Sequence, residues 1–589
     1  MKNYFRNWLH YFLYLCAVIT LIVSAALLIP YIQSLIIKFG VSLAGRPLNV
    51  PVWIERFCDW SKHSIFIAII FAGAGFLCCN HAFALRIRHE VAESIHTIDF
   101  KNFLKPVLIL WGLLSIISFS LLRANFSYAD DLHRAVEGGI VDSWGRYVAG
   151  FLSQLMNASP ILSDISPLPQ ILALFILSVS TVVFINSLCG QIKPEEIKPV
   201  YFLCVIPLTL SPWFLENLSY KFDAPYMAIS IFASITPFLF KFKSIPFSFF
   251  SVVGLLIMCT TYQASSGIYI MMTTTICFQM WKKGNASYKT IALFALRSAI
   301  LFAITLGIYK IFLVDKGGSY MSTQALPVSA ILPGIVHNVF TYGKTIYADC
   351  NLIWKIAIVL VALLFIIGNS YSLCHKHIAS LVVSLLMLTT LFIFSFGAYI
   401  VLQKPLFSCR AVYGFGVFLA ILSLDILNNQ RNNSWKIGVC CIIILDWCFV
   451  SFASEYGNAL TDQKRYTDFR GNILIQDLSE LFPSKNKTDM KLQLQGNIGF
   501  SPVVQHDASI HPIIKRLVPI DIGEAGDGWT LFYLLEYYNW NTNHNANRDD
   551  KPAYQDFTKM NLPTLKSTYY HTIKSDGKNI LIILYSHDK

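Results

Sequence analysis

The chain is 589 residues long, 55% of them hydrophobic and only 14% charged, with a formal net charge of +12. Soluble domains carry roughly a quarter of their residues as Asp, Glu, Lys or Arg, so one water-soluble globule is excluded and lipid is the expected solvent for most of the chain. The basic surplus is scattered in small groups between apolar runs and forms no single basic face, which fits topogenic charge and argues against nucleic acid as a partner.

Apolar stretches of about 20 residues recur, the length that crosses about 30 Å of hydrocarbon as a helix with its backbone polar groups paired internally. About 13 transmembrane helices are expected, at roughly 11–37, 64–84, 106–122, 168–190, 200–214, 225–240, 245–260, 264–281, 290–313, 353–370, 379–402, 410–428 and 436–452. The first is too long for a signal-peptide core and has no small-residue cleavage site after it, so it is expected to remain as an anchor. The connections alternate between two sets. One is short and basic, with Lys2/Arg6, Arg86/Arg88/Lys101/Lys105, Lys193/Lys198, Lys241/Lys243, Lys282/Lys283/Lys289, His375/Lys376/His377 and Arg431/Lys436, and the positive-inside rule makes it cytoplasmic. The other faces outward and comprises roughly 123–167, 215–224, 261–265, 314–352, 403–409 and the tail from about 453. The connection at 38–63 departs from the rule, placing Lys38, Arg46, Arg56 and Lys62 outside against only Glu55 and Asp59.

In the first large outward loop, Asp130 and Asp131 sit together at the outer end of a membrane helix. They precede an apolar stripe, Leu132, Val136, Ile140, Trp144 and Val148, whose spacing predicts one amphipathic helix lying in the interface. A helix needs only one cap, so the second carboxylate is available as a general base or to orient a ligand. Asp130 is the more natural cap and Asp131 the expected base. Arg146, farther along, suits a phosphate through its planar fork, although a snorkelling arginine at lipid headgroups would look the same.

The second outward turn carries Glu216, Asn217, Lys221 and Asp223. They read either as a second wall of the same site or as a local turn in which Glu216 and Asp223 pair with Lys221. Tyr262-Gln263 offers an aromatic surface with an amide, the usual pairing for a sugar, and equally a residue of an interfacial aromatic belt. Lys404 and Arg410 bracket the start of a late helix, where free backbone N–H groups and a guanidinium would together hold an anion; a membrane-anchoring arginine is the alternative.

The 14 cysteines all lie at or before Cys448 and show no metal-ligand spacing, so no metal and no cofactor are expected. Beyond about residue 453 the composition turns polar. Short apolar alternations at Ile473-Leu474-Ile475, Leu492-Gln493-Leu494 and Ile580 to Leu584 predict strands, and Trp529 to Tyr538 predicts a helix. The expected division is a transmembrane catalytic domain over 1–452 and a soluble α/β domain over 453–589, outside the membrane.

The order Asn125, Tyr128-Ala-Asp130-Asp131, Arg134, then Gly145-Arg146-Tyr147, Pro167-Leu-Pro-Gln170, Glu216-Asn217-Leu-Ser-Tyr220-Lys221-Phe-Asp223, Tyr262-Gln263 and Ser408-Cys-Arg410 resembles the serotype-converting O-antigen glucosyltransferases of bacteria and their phages. The resemblance spans roughly 110–430, and each motif is weak alone but fairly specific in this order. It implies a GT-C-like polytopic fold in the bacterial inner membrane, undecaprenyl-phosphate-glucose as donor and lipopolysaccharide O-antigen repeats in the periplasm as acceptor. It also implies that the catalytic carboxylate of the first outward loop falls on Asp130 or Asp131. Lys221 stands where the pattern leads one to expect arginine, which keeps the charge and loses the bidentate fork, and the N-terminal hairpin is additional. The mechanism that follows has one carboxylate deprotonating the acceptor hydroxyl while Arg410, Lys404 and Arg146 stabilise the departing lipid phosphate. No Walker A or GxGxxG pattern precedes a helix, as expected for a sugar already attached to lipid. A flippase or transporter for lipid-linked saccharides would place its charges nearer the bilayer midplane. An O-antigen polymerase is separated only by motif order, and a structural scaffold leaves the Asp130-Asp131 pair unused.

Overall fold

The computed structural model describes residues 89–90, 93, 100–139, 145–190, 197–284, 286–313, 324–370, 376–429, 434–483, 490–523, 535, 537, 540, 543–544 and 556–588. The helices expected at 11–37 and 64–84 lie outside these residues, as does most of the one expected from Trp529 to Tyr538. The chain divides into two compact units, residues 1–99 with 242–246 and residues 100–241 with 247–589. In the first, Lys243 reaches Glu93 at 3.4 Å. The second holds every candidate site residue.

That unit begins with α1 (Phe100–Ile117) and α2 (Phe119–Ala124). The outward loop follows with α3 (Asp131–Glu137) and α4 (Tyr147–Asn157). The single amphipathic helix expected here is therefore two: α3 stops at Gly138, whose left-handed φ of 70° caps it, as glycine does without steric cost. Ile140 and Trp144 of the expected stripe lie outside the described residues. Next come α5 (Leu168–Cys189), α6 (Pro199–Leu210), α7 (Pro212–Ser219), α8 (Ala224–Ile235), α9 (Ser244–Thr261), α10 (Ser266–Lys283) and α11 (Tyr288–Ile308). Ser178 and Ser180 of α5 and Thr273, Thr274 and Thr275 of α10 donate to the carbonyl four residues back, which satisfies their hydroxyls inside an apolar environment.

The expected outward loop at 314–352 contains a helix, α12 (Ile331–Asp349), ahead of α13 (Leu352–Ser370) and α14 (His377–Phe394). The helix expected over 379–402 ends at Phe394 and gives way to a 3-10 turn, Gly397–Val401. After α15 (Cys409–Val412) and α16 (Gly414–Asn428), the last membrane helix continues far beyond its expected end as α17 (Ser434–Leu481), 48 residues long. The expected domain boundary at 452/453 falls inside it, and Ile473-Leu474-Ile475 is helical instead of a strand. Leu474 and Leu478, one turn apart, pack on Leu492, Leu494, Ile580 and Ile582, so tertiary burial decides for helix where the local run of β-branched residues suggested strand. The tail adds β1 (Lys491–Gln495), α18 (Pro502–Ile510), α19 (Ile514–Leu517), β2 (Asn543–His544), β3 (Thr564–Ser567), β4 (His571–Ser575) and β5 (Asn579–Leu584). The sheet order is β2-β1-β5-β4-β3. β1 runs parallel to β5, while β4 is antiparallel to both β5 and β3.

Seven described helices are long and apolar enough to cross a membrane, or eight if α6 and α7, bent by 62° at Ser211, count as one broken span. This is the architecture of a polytopic membrane protein. Its two ends differ chemically. At one, Lys282 pairs with Asp425 at 3.6 Å, Asn369 donates to Asp425 at 2.6 Å, and Lys241 donates to the Ser187 carbonyl. At the other lie the loops that carry the candidate residues.

Candidate active site

The site grows from the turn before α3. Ala129 and Asn125 hold left-handed φ values of 47° and 42°, a conformation that costs an L-residue roughly 1–2 kcal/mol. The Asp131 carboxylate closes this turn. Its Oδ2 accepts the Tyr128 amide at 2.9 Å and the Lys221 amide at 3.0 Å, fastening the first outward loop to the second. Asp131 is 1% exposed, and burial pushes its carboxyl up to about 7 against the pull of those two amides and of Arg134. Asp130 stands at the N-cap position but makes no side-chain cap bond. Its side chain is 48% exposed and faces Arg134 at 3.5 Å. The expected cap bond from Asp130 is thus corrected: the Asp130 side chain makes none and is left open, while Asp131 binds amides outside the helix, those of Tyr128 and Lys221.

Arg134 reaches across to Asp223 at 2.7 Å, and Lys221 Nζ lies 3.3 Å from both Asp164 Oδ2 and Ser127 Oγ. The turn at 216–223 is therefore no local ion-paired loop. Lys221 and Asp223 both pair with the first outward loop, and Glu216 turns the other way, toward Arg410. All three are buried, and each buried charge has an opposite charge within reach, as burial demands.

Glu216 accepts the backbone N–H of Arg410 at 2.6 Å and lies 3.9 Å from its Nε. The reading of free N–H groups at this helix start is corrected here, because a protein carboxylate already occupies the anion position. The Arg410 carbonyl accepts from Tyr262 Oη at 3.0 Å and Asn217 Nδ2 at 3.4 Å. The backbone of Arg410 is thus fixed on both sides, while its side chain, 21% exposed, lies over the Tyr220 ring at 5.3 Å. Arg146 lies over the Tyr262 ring at 5.0 Å, and Gln263 donates to Tyr309 Oη at 2.5 Å. Lys404 is exposed on the turn before α15, apart from these contacts.

The Tyr128 and Tyr220 rings, 4.9 Å apart, join the two groups of residues. One end of this aromatic bridge carries the Asp130-Asp131 loop and the other carries Arg410. Around it, Asn217 Oδ1, Tyr220 Oη and Ser408 Oγ are buried with no hydrogen-bond partner among the described residues. An unmade bond of this kind costs about 1–3 kcal/mol, and the hydroxyls of a sugar would supply what these atoms lack. Sequence reasoning missed Asp164, Asp349, Tyr456 and Arg516, which hold the site's walls. Asp164 and Tyr456 sit among the outward residues without a distinguishing signal. Asp349 and Arg516, 167 positions apart, have none that a local pattern can carry. Among the described residues no group of three or more His, Cys, Asp or Glu side chains is gathered for a metal ion.

Comparison with known proteins adds a family. The family described as "Glucosyl transferase GtrII" matches residues 119–421, a span that contains every candidate residue named above from Asp130 to Arg410. A protein of Salmonella phage P22 described as "Uncharacterized 55.3 kDa protein in gtrB 5'region" is 24% identical over 431 residues, covering 69% of this chain and 85% of its own length. No solved structure matches the chain.

Proposed function

Because the chain belongs to the GtrII glucosyl transferase family, we propose that it moves glucose from undecaprenyl-phosphate-glucose to an O-antigen repeat of lipopolysaccharide at the periplasmic face of the bacterial inner membrane. The observation that carries this reading is the aromatic bridge, which joins an open carboxylate, Asp130, to a part-exposed guanidinium, Arg410, whose backbone is fixed by Glu216, Asn217 and Tyr262. A transfer of this kind needs those two charges on opposite sides of one sugar.

Asp130 takes the proton from the acceptor hydroxyl as its oxygen bonds to the glucose anomeric carbon. The bond from that carbon to the phosphate oxygen breaks, and its electron pair leaves with the polyprenyl phosphate. Negative charge grows on the leaving phosphate, and Arg410 stabilises it where little water competes, with Arg146 and Lys404 as further cations on the same face. Asn217, Tyr262 and Gln263 offer hydrogen bonds and aromatic surface to the sugar. Lys221 and Asp223, engaged with Asp164 and Arg134, position the loops. Asp131 likewise positions, since its Oδ2 is committed to two amides and the carboxyl is closed to solvent. The tail from about 453 lies on the same periplasmic side as the site.

The test is transfer of radiolabelled glucose from undecaprenyl-phosphate-glucose to O-antigen in membranes that carry the full chain. Asp130→Asn is expected to lose about 10²–10⁴ in rate. Arg410→Ala is expected to lose more than Arg410→Lys, which keeps the charge and sacrifices only the fork. Wild-type transfer from a nucleotide sugar and none from the lipid donor would sink the reading.

A further inference from the structure

Arg516 lies on α19, well beyond the 119–421 span that the family match covers, yet its side chain enters the framework of the site. One arm of its guanidinium pairs with Asp349 at the end of α12, and the other donates to the Phe407 carbonyl, three residues before Arg410. Asp349 also accepts from Trp213 Nε1 of α7 at 2.8 Å. The neighbouring residue extends the clamp. The Leu517 carbonyl accepts from Tyr128 Oη at 2.8 Å and from Tyr456 Oη at 3.3 Å, and Tyr456 bonds Ser219 at 2.7 Å. Two consecutive tail residues thus reach the first outward loop, the end of α12 and the turn that leads into α15, and through Asp349 and Tyr456 they are linked to both ends of α7.

We propose that Arg516 is a positioning residue for glucosyl transfer, holding the Phe407–Arg410 turn so that the Arg410 guanidinium meets the donor phosphate, and that the tail is in this sense part of the active site. This rests on the donor-binding role proposed for Arg410. The chemistry selects arginine: a planar fork engages a carboxylate and a carbonyl together, whereas the point charge of lysine serves one of them well. Glu216 grips the turn at the Arg410 amide and Arg516 grips it at the Phe407 carbonyl. Releasing the second grip leaves Arg410 attached but free to swing. Small misplacements of a group that acts at the reacting centre cost about 10²-fold in rate.

The experiment uses the full chain in detergent or membranes and two readouts. In Arg516→Ala, amide hydrogen exchange over residues 408–412 is expected to rise at least about tenfold while α5 stays as protected as in the wild type. Transfer from undecaprenyl-phosphate-glucose is expected to fall about 10²-fold, with Arg516→Lys intermediate. In an Arg410→Ala background the Arg516→Ala change should cost little more, because the residue it positions is gone. Unchanged exchange over 408–412 overturns the proposal. So does an equal rise in α5, which would mean loss of general stability, and so do losses that simply multiply in the double variant. Should Arg516→Ala fail to fold, Arg516→Lys takes its place in both readouts under the same criteria. Wild-type protein that does not use the lipid donor refutes the donor reading instead, and the exchange measurement, which needs no donor, then decides on Arg516 by itself.

Discussion

Asp130 and Asp131 are adjacent and identical in type, and their surroundings give them different chemistry. Asp130 is open and faces Arg134, whereas Asp131 is closed off and carries two amides on one oxygen. The pair itself is legible in the sequence; the division of labour is not, because it depends on Lys221, ninety positions away. The buried carboxyl has a measurable consequence. Its pKa is raised from 3.8 to about 7, so the folded protein holds this proton more tightly than the unfolded chain does. The stability cost of ionising it is absent below about pH 4, grows as pH rises and is complete above about pH 7, where it reaches at most about 4 kcal/mol. Asp131→Asn removes the ionisation and keeps an oxygen for the two amides. Its unfolding midpoint in detergent should equal or fall below that of the wild type near pH 5 and exceed it at pH 8. A difference that stays constant across that range would show that Asp131 ionises as easily folded as unfolded.

Among the elements, those read correctly are those whose signal is local. Continuous apolar runs gave α5, α11, α13 and α16 because lipid or a lipid-like interior selects for length and hydropathy alone. α12 and the outer half of α17 escaped, since polar residues interrupt their apolar runs and hide a helical period that only the packed partners reveal: Asn338 of α12 donates to the Ile400 and Leu402 carbonyls, Tyr342 stacks on Phe396 at 4.7 Å, and Leu474 and Leu478 of α17 pack on the sheet. Packing also gives individual glycines opposite values. A Cβ on Gly416 of α16 would stand 2.2 Å from the Pro207 carbonyl oxygen of α6, whereas one on Gly112 of α1 meets nothing within 4 Å. Gly416→Ala must therefore push α16 off α6, and overpacking of this kind costs about 1–3 kcal/mol. Gly112→Ala should instead gain up to about 1 kcal/mol from helix propensity. Thermal unfolding of the two variants in the same detergent should move in opposite directions, and equal shifts would refute the close approach of α16 to α6.

At the scale of the whole second unit, the question is which end faces outward. A helix of 48 residues such as α17 is about 70 Å long, more than twice the hydrocarbon thickness of about 30 Å, so one end must stand clear of the membrane. Its first turn enters beside Lys436, and the other termini at that end carry Lys241, Lys282 and Lys283. Two of these cations are already committed to the helix ends themselves, Lys241 to the Ser187 carbonyl and Lys282 to Asp425. Basic residues at a membrane boundary resist translocation, and the proposed periplasmic site requires this end to stay in the cytoplasm. The opposite end of α17 meets the tail, whose Arg516 and Leu517 reach the same loops that carry Asp130 and Arg410. Orientation of the tail and of the site is thus one question with one answer. An alkaline phosphatase fused after Lys589 should be active, and a fluorescent protein that matures only in the cytoplasm should be dark at the same point. The reverse pattern would put the Asp130 carboxylate and Arg410 on the cytoplasmic side, where activated sugars on soluble nucleotides are accessible, and would remove the reason to expect a lipid-linked donor.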